Sequence, residues 1–530
     1  MFSSNPPLDS ALGPRLAALL AILCFCAGWA RLGAADIPAR PVAAVTGGCI
    51  SGQLLPHGGA VFRGIPFAQP PVGALRWREP LPVVPWDGVR DAVASGPPAA
   101  QASFGWNERA AAESREDCLY LDVWTPTALA PASNPVMVWI HGGGNVAGAG
   151  GFDPVYDGAS LLAHGVVLVV VEYRLGIFGF LAHPELTRES PRHASGNYAL
   201  LDQLAALRWV QGNIARFGGD PGRVTIFGQS AGGTDVIALM ASPLSRGLFQ
   251  RAIAESGPLG GESSQSLADA ELAGAKAAAK LNAPAEGGLP FLRSLPVADL
   301  LKATIGFHPF TVDGWVFPVS PLVAWSTGKE QPVPLIVGSN AIEFASGGSL
   351  DDMRKAISTI FKADAPKALA LYGLDGPPAA ADPLYGNAQD QWGSDLFRCP
   401  GIVQGEWHGA SGHPVWEYQF DRAIPPHPHV AHSGEIPYVF GNFHLTTGNL
   451  AGDYQEADRK LSGAVQAYWT NFARTGNPNA AGLPDWPEYD GRVRNYLEFT
   501  AAGTVALAQN QRGPFADLFR DLLRREAAAP

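Results

Sequence analysis

Gly228-Gln229-Ser230-Ala231-Gly232 follows a short apolar run, Val224-Thr225-Ile226-Phe227, and leads into helix-compatible sequence, Val236-Ile237-Ala238-Leu239-Met240. The pattern requires a strand, a turn too sharp for most residues, and a helix, with the serine oxygen pushed out at the strand's end. The glycines flanking Ser230 are the residues that allow backbones to crowd together at such a turn.

Other segments supply a sheet for that strand. Val136-Met137-Val138-Trp139-Ile140 and Val166-Val167-Leu168-Val169-Val170-Val171 are apolar throughout, and without alternation they predict central strands buried on both faces. Between Gly196 and Phe217, Leu200, Leu204, Leu207, Val210 and Ile214 recur at helical spacing until Gly218-Gly219-Asp220-Pro221 stops them. Further strands are expected at Pro334-Leu335-Ile336-Val337 and at Val415-Trp416-Glu417-Tyr418-Gln419-Phe420. The Ala-rich stretch from Leu267 to Leu301 and the segment from Asp351 to Tyr372 read as helical insertions forming a cap beside the site. The order of elements predicts an α/β fold, a mostly parallel central sheet with helices on both faces. No internal repeat or linker divides residues 36–530, which read as one domain.

With 47% hydrophobic and 16% charged residues, the 530-residue chain can bury a large core, and a formal net charge of -11 gives no attraction to nucleic acid or anionic lipid. Both partner classes are set aside. Arg15 precedes an apolar run from Leu16 to Ala30, followed by the small residues Gly33, Ala34 and Ala35. That is the layout of a secretory signal, residues 1–35, so a secreted or periplasmic protein without stable membrane insertion is expected after cleavage near Ala30 or Ala35. Cys49, Cys118 and Cys399 then remain, an odd number that leaves at least one thiol unpaired. No C-x-x-C and no His/Cys spacing suits zinc, and no metal or cofactor is expected.

A serine nucleophile needs a base, an orienting acid and donors for the oxyanion. His141-Gly142-Gly143-Gly144 comes directly after Ile140, and successive glycines let the backbone curl until amide N–H groups point into one spot. The amides of Gly143, Gly144 and Ala231 are the candidate oxyanion hole. A phosphate cradle is the other use of such a loop, but no lysine follows and no dinucleotide-binding spacing is present.

On these residues the chain resembles the type-B carboxylesterase family, which includes cholinesterases and many secreted bacterial and fungal esterases and lipases. Matching motifs run from Phe62-Arg63-Gly64-Ile65-Pro66 through Glu116-Asp117-Cys118-Leu119-Tyr120-Leu121, the glycine loop, Tyr173-Arg174-Leu175-Gly176, Asp202-Gln203 and the Ser230 turn. They continue through Val312-Asp313-Gly314 to Trp469-Thr470-Asn471-Phe472-Ala473-Arg474-Thr475-Gly476-Asn477-Pro478. The resemblance implies an α/β-hydrolase fold and serine carboxylic-ester hydrolysis of a small-molecule substrate through an acyl-enzyme. It picks Glu343 as the acid, in Val337-Gly338-Ser339-Asn340-Ala341-Ile342-Glu343, with Asp351 and Asp352 as weaker candidates. It picks His432 as the base, in His432-Ser433-Gly434-Glu435-Ile436-Pro437-Tyr438-Val439-Phe440-Gly441, over His427, His429 and His444. It gives Ser256 a supporting hydrogen bond to the acid.

The chain departs from the family at three places. Phe344 stands where glycine usually follows the acid. Gly96-Pro97-Pro98 is followed by Ala99 where the family has a cysteine that pairs with the one in Asp-Cys-Leu, so the loop carrying Trp106 lacks that staple, and Trp106 is expected to pack ordinarily rather than form a cation platform. Asn145 replaces a common phenylalanine and suggests a substrate with polar groups near the scissile ester. Two alternatives to a general esterase follow from the family: removal of polycarboxylate side chains from a fumonisin-like mycotoxin, and a non-catalytic adhesion or binding role. Retention of Ser230, Glu343 and His432 argues against the second. Activity is expected to fall as pH drops through about 6 to 7 and the base becomes protonated.

Overall fold

The unbroken apolar runs become the middle of one sheet because residues on both of its faces are removed from water. The computed structural model describes residues 40–127, 133–260, 263–303, 308–376 and 380–528, and the signal expectation for residues 1–35 lies outside them. Residues Pro41–Pro530 form one compact unit. Its eleven-stranded sheet comprises β1 Gln53–Leu54, β2 Ala60–Pro66, β3 Tyr120–Thr125, β4 Asn134–Ile140, β5 Val167–Val171, β6 Gly219–Gln229, β7 Arg251–Glu255, β8 Leu335–Asn340, β9 Val415–Phe420, β10 Asn495–Phe499 and β11 Val505–Gln509. The spatial order is β1-β2-β3-β5-β4-β6-β7-β8-β9-β10-β11. From β5 to β10 every pairing is parallel, and both outer regions are antiparallel.

Side-chain alternation along each strand divides the core in two. Val136, Val138 and Ile140 join one apolar cluster with Val167, Val169, Ile226 and Ala254, while Met137 and Trp139 join the other with Leu168, Val170, Phe227 and Ile253. The first cluster is closed by α1 Tyr198–Asn213, α2 Ala231–Ala241, α5 Ala388–Ala410 and α7 Gly513–Ala528, and the second by α6 Glu456–Thr475. Two further helices, α3 Leu267–Lys280 and α4 Leu350–Phe361, lie in the expected insertions. The stretch from Leu267 to Leu301 is broken rather than continuous, with shorter helices at Gly288–Ser294 and Val297–Leu300 after Gly287 takes φ +67°. Among the described residues no helix is long and apolar enough to cross a membrane.

Candidate active site

Ser230, Ser256 and Glu343 lie at or just beyond the C-terminal ends of the neighbouring parallel strands β6, β7 and β8, His432 lies in the segment that follows β9, and the glycine loop follows β4. Ser230 ends β6 and caps α2 with φ +59° and ψ -128°, a conformation that costs a non-glycine residue roughly 1–3 kcal/mol. The flanking glycines permit it: a Cβ on Gly232 would lie 2.0 Å from the Ile140 carbonyl oxygen, and one on Gly228 would lie 2.6 Å from the same atom. The serine is locked by its own N–H, which donates to the Glu255 carbonyl at 2.9 Å, and by its carbonyl, which accepts from Thr234 N–H at 2.9 Å. Asn145, Ser256 and Ser433 also have positive φ. Strain in four non-glycine residues is therefore concentrated around one point, the usual mark of a functional centre.

The loop after β4 packs against this turn. Gly143 has φ +108°, and a Cβ there would meet the Ala147 carbonyl at 2.0 Å; a Cβ on Gly142 would come within 3.0 Å of the Ser230 Cβ. Tyr173 Oη donates to the His141 carbonyl at 2.6 Å, and the Glu172 carboxylate accepts from Ala99 N–H at 3.2 Å and from Gly150 N–H at 2.7 Å. Among the described residues no protein group accepts from the amides of Gly143, Gly144 or Ala231, so three N–H donors remain available beside Ser230.

Glu343 lies just beyond β8, where Gly338 is needed because a Cβ would fall 2.2 Å from the Tyr418 ring. His432 Nδ1 lies 2.7 Å from Glu343 Oε2, and His432 N–H donates to the Glu343 carbonyl at 3.0 Å. Ser256 Oγ and Asn340 N–H donate to the other carboxylate oxygen, Oε1, at 2.6 and 2.7 Å. Burial pushes the Glu343 carboxyl up, but bonds from His432, Ser256 and Asn340 outweigh it and hold the group below its ordinary value. Asp351 and Asp352 are used locally at the N-terminus of α4, the first paired with Arg354 and the second in a capping box with Ser349. His427 bonds the Ala451 carbonyl.

Several neighbours of this group escaped sequence reading. Gln229 Nε2 lies 3.3 Å from His432 Nε2, and its Oε1 accepts from Ser433 Oγ at 3.0 Å, while no hydrogen bond joins Ser230 Oγ to the imidazole. Behind the imidazole, Glu435 accepts from Asn340 Nδ2 at 2.7 Å and Glu255 accepts from Trp469 Nε1 at 2.7 Å, both fully enclosed. Burial, reinforced by the Glu343 charge, pushes the Glu435 carboxyl up to about 7. A glutamate ending an otherwise apolar strand, Ala252-Ile253-Ala254-Glu255, was the available signal.

Two expectations are corrected. The Asn145 side chain is wholly buried: its Nδ2 donates to Asp235 Oδ1 at 2.9 Å, and its Oδ1 accepts from Tyr173 Oη at 3.1 Å. Its polar groups are engaged in holding the glycine loop to α2 and to Tyr173. Trp106 is 67% exposed rather than packed. Its loop is anchored by polar bonds instead, Gln101 Nε2 to the Gly148 carbonyl and Asn107 Nδ2 to Gln101 Oε1, so the ring is not needed as an anchor. Cys118 and Cys399 are free buried thiols, and Ala99 leaves the first of them without a partner.

A strained serine between a parallel strand and a helix, followed in chain order by an acid and a histidine on the next strand ends, defines an α/β-hydrolase. The model of the carboxylesterase family matches residues 39–515, and the chain belongs to that family as a carboxylic-ester hydrolase. It is 37% identical over 550 residues to a liver carboxylesterase of Sus scrofa, covering 91% of this chain and 92% of the other. It is 36% identical over 462 residues to a fumonisin B1 esterase of Sphingopyxis macrogoltabida, covering 81% and 82%. Among solved structures, a PNB esterase superposes with a TM-score of 0.79 at 32% identity, covering 91% of this chain and 99% of that one.

Proposed function

We propose that the protein is an exported serine esterase in which Ser230 is the nucleophile, His432 the general base and Glu343 the orienting acid. The observation that carries the reading is the Glu343–His432 bond of 2.7 Å beyond the tip of β8, two strands from the one that leads into Ser230, with Ser256 fixing the carboxylate from the other side. The imidazole gives up Gln229 Nε2, takes the Ser230 proton and lets Oγ attack the ester carbon. The amides of Gly143, Gly144 and Ala231 hold the oxyanion. The imidazolium then protonates the leaving alcohol, and the same histidine deprotonates the water that frees the acid and Ser230. Glu343 keeps the tautomer with Nε2 unprotonated and stabilises the charged ring. The apolar run from Leu16 to Ala30 supports export.

The polycarboxylate alternative draws on the family, on Asn145 and on the missing cysteine at Ala99; the Asn145 side chain is bound to Asp235 and Tyr173, so the likeness to a fumonisin B1 esterase remains its support without a residue to carry it. A binding-only role is opposed by a complete set of reacting groups.

Hydrolysis of p-nitrophenyl esters from acetate to laurate, wild type against Ser230→Ala, tests the proposal. Turnover falling at least about a thousandfold in the variant is expected. Equal residual rates in the two proteins would remove Ser230 from the mechanism, and labelling of Ser230 by an organophosphate gives an independent readout.

A further inference from the structure

Phe344, the residue after the acid, is 47% exposed although it stands beside a buried centre. Its ring centroid lies 4.3 Å from that of His432, with planes inclined at 35°. Phe397 lies 5.2 Å from the same imidazole and 5.4 Å from Phe344, and the adjoining Leu396 is 38% exposed. Ordinary core burial does not account for large apolar groups left in water around a catalytic base, and each such contact with solvent has a cost that a bound apolar group would remove.

The patch is held firmly. Glu343 N–H donates to Ser394 Oγ at 2.9 Å and Ser346 N–H donates to the Gln389 carbonyl at 2.9 Å, tying the backbone on both sides of Phe344 to α5. The Phe344 carbonyl oxygen sits 2.1 Å from where a Cβ on Gly393 would be, so α5 carries a glycine opposite this residue. The same helix supplies Leu396 and Phe397. Its nearby charges, Asp395 and Arg398, are turned inward and paired at 2.6 Å with no exposure, which keeps both of them out of the patch.

Reaction geometry decides which part of an ester meets these rings. The oxyanion belongs to the glycine loop, and the imidazole must reach the leaving oxygen to protonate it, so the alcohol portion lies on the histidine side. We propose that Phe344, Phe397 and Leu396 form the alcohol subsite and that it selects esters of uncharged aromatic alcohols, the ring stacking on the open face of Phe344. This assignment rests on the serine esterase reading above.

The test compares kcat/KM for 2-phenylethyl acetate and ethyl acetate, whose leaving alcohols have similar basicity, using the intact enzyme. A ratio of about ten or more in favour of the aromatic alcohol is expected for the wild type, falling about tenfold in Phe344→Ala and persisting in Phe344→Tyr. Because the ratio is taken within one protein, partial loss of active enzyme cancels. Leu396→Asp, at a position already in water, places a charge on the patch without opening a cavity and should lower the ratio similarly. A wild-type ratio near one, or a ratio unchanged by both Phe344→Ala and Leu396→Asp, overturns the subsite alone. Absence of Ser230-dependent turnover on every ester would overturn the esterase reading and the subsite with it.

Discussion

His432 is gripped at both ring nitrogens, by Glu343 at Nδ1 and by the Gln229 carboxamide at Nε2. The second contact is with a neutral group, so it lays no charge against the nitrogen that accepts a proton in the proposed mechanism. Replacing that group with a carboxylate, Gln229→Glu, puts a negative charge about 3 Å away and favours the imidazolium. The acid limb of the kcat/KM profile should then move upward by about one pH unit, with activity at pH 6 lost in proportion; a profile superimposable on the wild type would separate Gln229 from the base. Glutamine at this position was visible in the sequence, but its partner was not, because contact with His432 spans 203 residues. Asn145 teaches the same lesson in reverse: its place beside the glycine loop was legible, while its direction depended on Asp235 and Tyr173, which no local pattern connects to it.

Elements were more legible than contacts. Continuous apolar runs located β4, β5 and the first half of β8, and the glycine-flanked serine located the junction of β6 with α2, since these signals are set by burial and backbone geometry within a few residues. Insertions were less so: Ala-rich composition favours helix everywhere, and the left-handed Asn282, just past the end of α3, and the strained Lys362, at φ +52° at the end of α4, mark where those helices stop. The close approach of β4 to α2 sets a sharp limit on substitution. Gly232→Ala should abolish esterase activity and lower Tm, because its Cβ meets backbone oxygens of Ile140 and His141 at 2.0 and 2.7 Å, whereas Gly463→Ala on the open face of α6 should add about 0.5–1 kcal/mol. Calorimetry on both variants checks the contrast, and equal changes in Tm would refute it.

Across the whole molecule, stability should depend on pH through carboxyls enclosed by the fold. Burial raises Asp122 to about 6 and Asp235 and Glu435 to about 7, against ordinary values near 4. Between about pH 4 and 7 the folded chain therefore binds more protons than the unfolded one, and stability falls as pH rises through that window. Glu343 and Asp458 are shifted downward and act oppositely, losing their contribution only under stronger acid. Tm should be several degrees higher at pH 5 than at pH 8.5, and Asp235→Asn should flatten the slope because it removes one of the groups that takes up a proton, while Gln203 can turn its unpartnered Oε1 to accept from the new amide. A Tm independent of pH across that range would show that the carboxyls do not dominate. The proposed reacting groups follow β6, β8 and β9 of one sheet, whose adjacent strands lie about 4.8 Å apart, although Glu343 and His432 are 89 residues apart in the chain. The sheet thus serves as a jig and the long excursions between its strands as leashes, so that one leash can be exchanged for another without moving the strand ends that hold these side chains.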